Sequence, residues 1–268
     1  MPVSPPSQLL ANLKRLSETL TAHCECDAAQ TNAARHWAAK MPLTHGTSIG
    51  SLKAILDSKA LLSQAQVGSR VGQAETILET RDDVFLYLGA FSYPNTECGF
   101  LFVQSLEKDH QDKGVATPFD SGAYGCKFSP PGGYADGPSF VRAHELPIPG
   151  YRELLRTVIL QYAPSPLHYL RSASSFACHC GVSLAHPFEI TQGDDRTSSF
   201  EVRVPQRVAL QPPHLLAVFV KKGYELPELS TLFALGVKIE RYEAATEDNS
   251  FDAMRDSCVI FIEEYLTP

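Results

Sequence analysis

The segment Pro42–Gln64, PLTHGTSIGSLKAILDSKALLSQ, restricts the fold of this chain more than any other stretch of its sequence. Residues 41–44 have the character of a short extended strand. The residues after Ser48 place apolar side chains at helical spacing: Ile49, Leu52, Ile55 and Leu56. The segment therefore predicts a strand that turns directly into a helix. A chain built around such a turn is expected to mix helices and strands in one fold.

Apolar patterns along the rest of the chain predict further helices and strands. Leucines at spacings of three and four predict a helix over residues 6–23, and a second helix is expected over Ala28–Lys40. Strands are predicted at Val84–Leu88, Gly99–Val103, Ser199–Val204, Leu215–Val220 and Val237–Tyr242. Helices are predicted over residues 151–162, 165–176 and Pro227–Leu235, and a helix ending in a strand over Phe251–Leu266. The Gly-, Pro- and Asp-rich residues 106–149 predict a long loop.

Composition limits the classes of protein that this chain can belong to. Its 268 residues, 44% of them hydrophobic, are enough to bury a good core. The 30 acidic residues exceed the 23 basic ones, which gives a net charge of −7 and argues against broad electrostatic binding to nucleic acid. The N-terminal residues do not have the pattern of a cleaved secretory signal, and no apolar run is long enough to span a membrane. We expect a cytoplasmic protein, or one exported without a cleaved signal.

Two clusters of cysteine and histidine raise the question of a metal site. The first cluster contains His23, Cys24 and Cys26, and the second contains Cys178, His179 and Cys180 with His186 nearby. Zinc sites usually take paired cysteines from a spacing of two or more intervening residues, whereas both clusters have a single residue between their cysteines. We therefore expect free thiols and no metal.

The turn after the first strand also fits a second chemistry. Gly46-Thr47-Ser48-Ile49-Gly50 has the spacing of the nucleophile turn of a serine hydrolase, with Ser48 as the nucleophile. Such a turn belongs late in a doubly wound sheet, whereas the residues before Ser48 carry helical patterns. No histidine downstream follows an evident strand-turn pattern that would complete a triad: His144, His168, His179, His186 and His214. The hydrolase remains an alternative.

Three segments in sequence order resemble the motifs of the PARP-like and DarT-like ADP-ribosyltransferases. They are THGTSIGSLKAILDSKALLS, RDDVFLYLGAFSYPN and TSSFEVRVPQRVALQPPHLLAVFVKK. Lys59 stands where the family commonly has glycine. The resemblance implies an α+β fold of the ADP-ribosyltransferase type, with a split, curved β-sheet core and an N-terminal helical preface. We accordingly expect a helical segment over residues 1–41 and a catalytic domain over 42–268, with a long insertion at about 104–198.

The resemblance also implies a set of site residues. His45, Tyr87 and Glu201 match the catalytic positions, and NAD is the implied co-substrate. The matching NAD-binding residues are His45, Gly46, Thr47, Tyr87 and Ser92. Arg70 and Arg81 lie between the first two motifs and are candidates to approach the pyrophosphate, with a solvated loop as the alternative for each.

These residue types suit the chemistry of NAD. A histidine at a strand end can hydrogen-bond to ribose hydroxyls, and the following glycine allows close approach of the backbone to the nicotinamide amide. A tyrosine ring can stack on the cationic pyridinium. Positive charge develops on the ribose as nicotinamide leaves, and a carboxylate beside it stabilises that charge and orients the attacking group.

The three motifs are compatible with several functions. The resemblance favours transfer of ADP-ribose to a macromolecular acceptor, either protein or nucleic acid, with hydrolysis of NAD as an alternative. A tRNA 2′-phosphotransferase shares the opening motif but has a histidine where this chain has Tyr87. A non-catalytic module that binds NAD or a partner is a further alternative, in which His45 caps a turn, Tyr87 is core, and Glu201 lies with Arg203 on a solvated strand face.

Overall fold

A computed structural model describes residues 28–68, 72–123, 135–161, 167–171, 199–246 and 249–267. These residues fall into two compact units. The first lies within Met1–Lys40, Val71–Arg81 and Gln111–Val202, and the second within Met41–Arg70, Asp82–His110 and Arg203–Pro268. Both units contain helices and strands, which confirms the predicted α+β class; a split pair of curved sheets stays a prediction.

The elements are numbered in chain order. The helices are α1 (Ala28–Lys40), α2 (Ile49–Ser58), α3 (Gln64–Val67), α4 (Gln73–Leu78), α5 (Gly137–Ala143), α6 (Ile148–Gln161), α7 (Leu167–Arg171), α8 (Pro227–Ala234) and α9 (Ser250–Leu266), with a 3₁₀ helix at Gln104–Asp109. The strands are β1 (Leu43–Thr47), β2 (Ala60–Leu62), β3 (Asp83–Leu88), β4 (Cys98–Phe102), β5 (Val115–Thr117), β6 (Leu146–Pro147), β7 (Glu201–Pro205), β8 (Arg207–Ala209), β9 (Leu215–Lys221) and β10 (Lys238–Tyr242). None of the helices in the described ranges is long and apolar enough to cross a membrane.

The first unit is organised around helices and a small aromatic core. Helix α1 packs against α6, where the Arg152 guanidinium donates to the Ala38 carbonyl at 2.6 Å. Phe119 and Phe140 stack with ring centroids 5.0 Å apart. These rings form a buried cluster with Leu78 of α4 and with Val141 of α5. Strand β5 pairs antiparallel with β6.

The second unit contains a five-strand array in the order β10-β9-β4-β1-β3. Strand β1 pairs antiparallel with both β3 and β4, and β4 pairs antiparallel with β9, whereas β9 and β10 run parallel. Helix α9 covers β9 and β10, and the Phe219 and Phe261 rings meet edge to face at 5.8 Å. A separate antiparallel pair joins β2 to β8. Strand β1 is thus held on both edges, which fixes the position of the turn that follows it.

The end of α2 shows how a lysine is accommodated at position 59. This residue adopts the left-handed conformation, with φ of 54°, and its N–H donates to the carbonyls of Ile55 and Leu56. Glycine takes this conformation most easily. Lysine adopts it here, and its N–H still caps the helix.

Most of the predicted elements are confirmed within a few residues, and two expectations were wrong. The C-terminal residues continue as one helix to Leu266 and do not end in a strand. The expected loop over 106–149 contains β5, α5 and β6 in its described part. Helix α5 forms because the Asp136 side chain accepts from the Ser139 N–H at 2.8 Å and caps its first turn. The helix predicted over residues 6–23 lies outside the described residues.

Gly99→Ala tests the packing of β4. A Cβ at this position would lie 2.3 Å from Cε1 of Phe91, whose ring packs edge to face on Phe219 at 5.5 Å. Because that ring is enclosed, we expect the free energy of unfolding, measured by chemical denaturation, to fall by about 1–3 kcal/mol.

Gly50→Ala is the matched control on helix α2. The nearest atom to a Cβ there is Ser48 Oγ at 4.0 Å, and alanine favours a helix over glycine by up to about 1 kcal/mol. The replacement of glycine by alanine is therefore expected to raise the free energy of unfolding at Gly50. Equal effects at both positions would contradict this account of β4.

Candidate functional site

His45 lies on β1 and has a defined tautomer. Its Nδ1 lies 2.8 Å from the Phe85 carbonyl oxygen on the neighbouring strand β3. A carbonyl only accepts, so Nδ1 carries the proton. Burial lowers the pKa of His45 below the ordinary histidine value of 6.5, and the bond to Phe85 opposes this only in part. The ring is therefore neutral at pH 7, and Nε2 is left as a hydrogen-bond acceptor.

A cavity of about 410 Å³ opens beside His45 in the second unit. Its polar lining residues are His45, Thr47, Ser51 and Ser58, from β1 and α2. Its small or apolar lining residues are Gly50, Ala54, Ile55, Ala60, Leu61, Leu62 and Val67. A lining that combines apolar side chains with an imidazole and hydroxyls suits a flat heterocycle with a sugar attached.

The loop before β4 holds the turn between β1 and α2. The Glu97 carboxylate accepts from the Ile49 N–H at 3.1 Å, and the Glu97 N–H donates to the Thr47 carbonyl at 3.0 Å. A Cβ on Gly46 would lie 2.8 Å from Thr96 Oγ1, so the glycine is required by the packing of this loop. Sequence reasoning missed both Thr96 and Glu97, because neither belongs to the pattern that marked the turn.

Tyr87 and Ser92 lie in the second unit but do not line the cavity beside His45. Tyr87 is opposite Thr44 in the β1–β3 pairing and is 8% exposed. Its ring centroid lies 6.4 Å from that of Tyr93, which is 46% exposed. The Ser92 hydroxyl donates to the Ala90 carbonyl at 3.2 Å. The structure therefore places Tyr87 on the strand beside His45, with a second tyrosine against it.

Glu201 begins β7 in the first unit, whereas His45 and Tyr87 belong to the second. The Glu201 side chain is 1% exposed, and Arg203 on the same strand is 4% exposed with Nη1 3.8 Å from Asp83 Oδ2. The alternative of a solvated strand face is therefore wrong. The first four residues of β7 are all buried, because packing covers both faces of this strand.

The Glu201 carboxylate is bound by a residue that no sequence pattern marked. The Ser121 hydroxyl donates to Glu201 Oε1 at 2.5 Å, and the Ser121 N–H donates to Oε2 at 3.3 Å. Ser121 itself is fully buried. In the sequence it stands in a stretch rich in Gly, Pro and Asp, which gave only a loop signal.

The remaining candidate residues are either exposed or outside the described ranges. Arg81 lies in an exposed turn, which agrees with the solvated alternative. Arg70 lies outside the described residues, as do both clusters considered for a metal: His23, Cys24, Cys26, Cys178, His179, Cys180 and His186.

The geometry at Ser48 does not fit a hydrolase nucleophile. Ser48 has φ of −78°, whereas a nucleophile turn is strained, and β1 pairs antiparallel on both sides instead of belonging to a parallel sheet. Its hydroxyl contacts Ser51 Oγ at 3.0 Å, and no imidazole in the described part of the chain reaches it.

A serine, a histidine and an aspartate do meet elsewhere in the second unit. His214 Nδ1 lies 3.2 Å from Ser105 Oγ, and His214 Nε2 lies 3.0 Å from Asp109 Oδ2. The Asp109 side chain is 59% exposed, whereas the acid of a catalytic triad is buried. These contacts tie the 3₁₀ helix to the start of β9.

Comparison with known proteins gives one structural similarity to report. No family model matches the sequence, and no curated protein matches it. Among solved structures, the chain is similar to Thermus sp. 2.9 DarT in complex with NAD+, with a TM-score of 0.40 and 11% identity. The match covers 75% of this chain and 94% of that chain.

The pKa of His45 predicts how stability depends on pH. In the unfolded chain the imidazole takes up a proton below about pH 6.5, whereas the folded protein resists protonation until a lower pH. The contribution of neutral His45 to the free energy of unfolding is therefore fully present above pH 6.5. It is lost as the pH falls towards the pKa of His45 in the folded protein. We expect the free energy of unfolding to fall in this window with a slope of up to about 1.4 kcal/mol per pH unit for each such histidine.

His45→Asn isolates the contribution of this one histidine. Asparagine does not titrate and can still donate to the Phe85 carbonyl. The free energy of unfolding, measured by denaturation between pH 6.5 and 5, should therefore change less steeply with pH in the variant than in wild type. His144 is the matched case in the first unit, because burial also lowers its pKa and its Nδ1 lies 2.7 Å from the Phe140 carbonyl oxygen. His144→Asn should reduce the slope independently. An unchanged slope in His45→Asn would mean that the folded protein protonates this imidazole as readily as the unfolded chain does.

Proposed function

We propose that this protein is an NAD-dependent mono-ADP-ribosyltransferase, which transfers ADP-ribose to a macromolecular acceptor and releases nicotinamide. The observation that carries the proposal is the neutral His45 imidazole at the wall of a cavity of about 410 Å³, at the turn from β1 into α2. The order of the three sequence motifs supports it independently.

The cavity suggests how part of NAD is held. A ribose hydroxyl donates to His45 Nε2, the acceptor that remains once Nδ1–H is bound to Phe85. The hydroxyls of Thr47, Ser51 and Ser58 offer further partners, while Ile55 and Leu62 contact the face of an aromatic base. The volume suits a nucleoside portion of NAD.

Glu201 supplies the charge that the reaction needs. As the bond between ribose C1″ and the nicotinamide nitrogen breaks, its electrons leave with nicotinamide and positive charge develops on the ribose. A carboxylate stabilises that charge in the transition state. The nucleophile of the acceptor then forms the new bond to C1″ and gives up its proton, so that ADP-ribosyl acceptor, nicotinamide and a proton are the products.

A net charge of −7 is compatible with a protein acceptor and with a locally bound nucleic acid, so an experiment has to identify the acceptor. Incubation with NAD labelled in its adenylate, together with separate pools of protein, DNA and RNA, identifies the acceptor by the pool that retains the label. Release of free ADP-ribose with no labelled pool would identify an NAD glycohydrolase instead.

Ala54→Phe tests the cavity as the NAD site. Ala54 lines the cavity from an exposed position on α2, so a phenylalanine there fills the space without disturbing the core. We expect NAD affinity, measured by calorimetry, to fall tenfold or more, which is at least about 1.4 kcal/mol.

Lys53→Phe is the control for the added ring, because Lys53 is the neighbouring residue on α2 and does not line the cavity. It loses surface ion pairs to Asp57 and Glu228, and exposed pairs of this kind contribute little. NAD affinity should stay at the wild-type level. Unchanged affinity in Ala54→Phe would place NAD elsewhere.

Glu201→Gln tests the chemical role of the carboxylate. The change keeps the shape and removes the charge, so turnover of NAD should fall a hundredfold or more, which is about 3 kcal/mol, with little change in NAD affinity. Nicotinamide release and calorimetry measure the two effects separately. Because Glu201 is buried, the free energy of unfolding is measured alongside.

Ser48→Ala provides the opposing control. Its hydroxyl contacts only Ser51 among the described residues, so turnover should be retained if the protein is a transferase. If Ser48→Ala is inactive and Glu201→Gln is active, the protein is a hydrolase and not a transferase.

A further inference from the structure

The Glu201 carboxylate and Ser121 form a buried pair within the first unit. Glu201 is 1% exposed and Ser121 is fully buried, although they are 80 positions apart in sequence. Ser121 donates twice to the carboxylate, through its hydroxyl to Oε1 at 2.5 Å and through its N–H to Oε2 at 3.3 Å. One residue therefore contacts both oxygens of the same carboxylate.

This pair of contacts restrains the orientation of Glu201. A glutamate side chain has three rotatable bonds, and a carboxylate held at one oxygen can still turn about its last bond. Donors to both oxygens remove that freedom. Short O–H···O⁻ bonds of this kind are also among the stronger hydrogen bonds in proteins.

The backbone around Ser121 is itself fixed by short-range hydrogen bonds. The Thr117 hydroxyl donates to the Phe119 carbonyl at 2.7 Å, and the Asp120 side chain accepts from the Ala123 N–H at 3.0 Å. Thr117 and Asp120 are both buried. The two donors of Ser121 are thus held in place independently of Glu201.

We propose that Ser121 is the positioning residue of Glu201, and that it fixes the orientation of the carboxylate before the reaction begins. This inference rests on the proposed function of Glu201. Electrostatic stabilisation requires the carboxylate to be in place before the bond to nicotinamide breaks, and a small misplacement of a reacting group can cost up to a hundredfold in rate. Ser121 acts through Glu201, so its loss changes the rate of the chemical step and leaves NAD binding unchanged.

The test compares nicotinamide release by wild type and Ser121→Ala under saturating NAD. We expect kcat to fall about tenfold to a hundredfold, with NAD affinity within twofold of wild type. Ser121→Thr keeps both the hydroxyl and the N–H, and it should retain most of the turnover. Chemical denaturation of each variant ensures that the rates are compared on folded protein.

A double-mutant cycle with Glu201→Gln separates positioning from a general structural effect. If Ser121 acts through the carboxylate, adding Ser121→Ala to Glu201→Gln changes the residual single-turnover rate very little. If it acts through the fold, the loss is the same in both backgrounds, and the proposal is wrong.

Ser63→Ala is the control for deletion of a buried hydroxyl. Ser63 is 1% exposed, and within the described ranges its hydroxyl has no hydrogen-bond partner. Its deletion should leave kcat unchanged. If wild type is active and Ser121→Ala is equally active, this inference is wrong but the proposed function stands. If wild type releases no nicotinamide, the proposed function is wrong, and this inference with it.

Discussion

The pairing of β1 with strands on both of its edges is the constraint on which the candidate site depends. Strand β3 supplies the Phe85 carbonyl that fixes the His45 ring, and β4 ends the loop that carries Thr96 and Glu97. Because both neighbours are antiparallel and buried, the end of β1 has no freedom to shift. The turn into α2, and the cavity beside it, follow from that position.

Burial gives the two candidate polar residues different chemical states. His45 is kept neutral because burial lowers the pKa of its ring, and its second nitrogen is therefore an acceptor for hydroxyl groups. Glu201 is enclosed with donors from Ser121 directed at both carboxylate oxygens, which is the arrangement that a buried carboxylate requires. Burial therefore acts on His45 through its pKa, and on Glu201 through its need for hydrogen-bond donors.

The local elements were largely predictable from the sequence, because apolar periodicity reports burial along one helix or strand. Helix α1 and strands β3, β4 and β9 lie within a few residues of their predicted positions. One error fell in residues 106–149, where frequent Gly, Pro and Asp predicted a loop. The signal for the helix that forms there was Asp136, which caps it three residues before Ser139. Cap chemistry was present there, but periodicity over so short a helix was too weak to reveal it.

The sequence by itself determined which residue types stand at the turn, on β3 and on β7, and in what order they follow one another. Only the tertiary structure decided what those residues contact. It showed that Gly46 is required by contact with Thr96, that Glu201 is buried, and that Ser121 binds its carboxylate. The physical reason is that hydrogen bonds and desolvation arise between residues that are distant in sequence. Periodicity describes only the face of one element, and it carries no information about the partner that will cover that face.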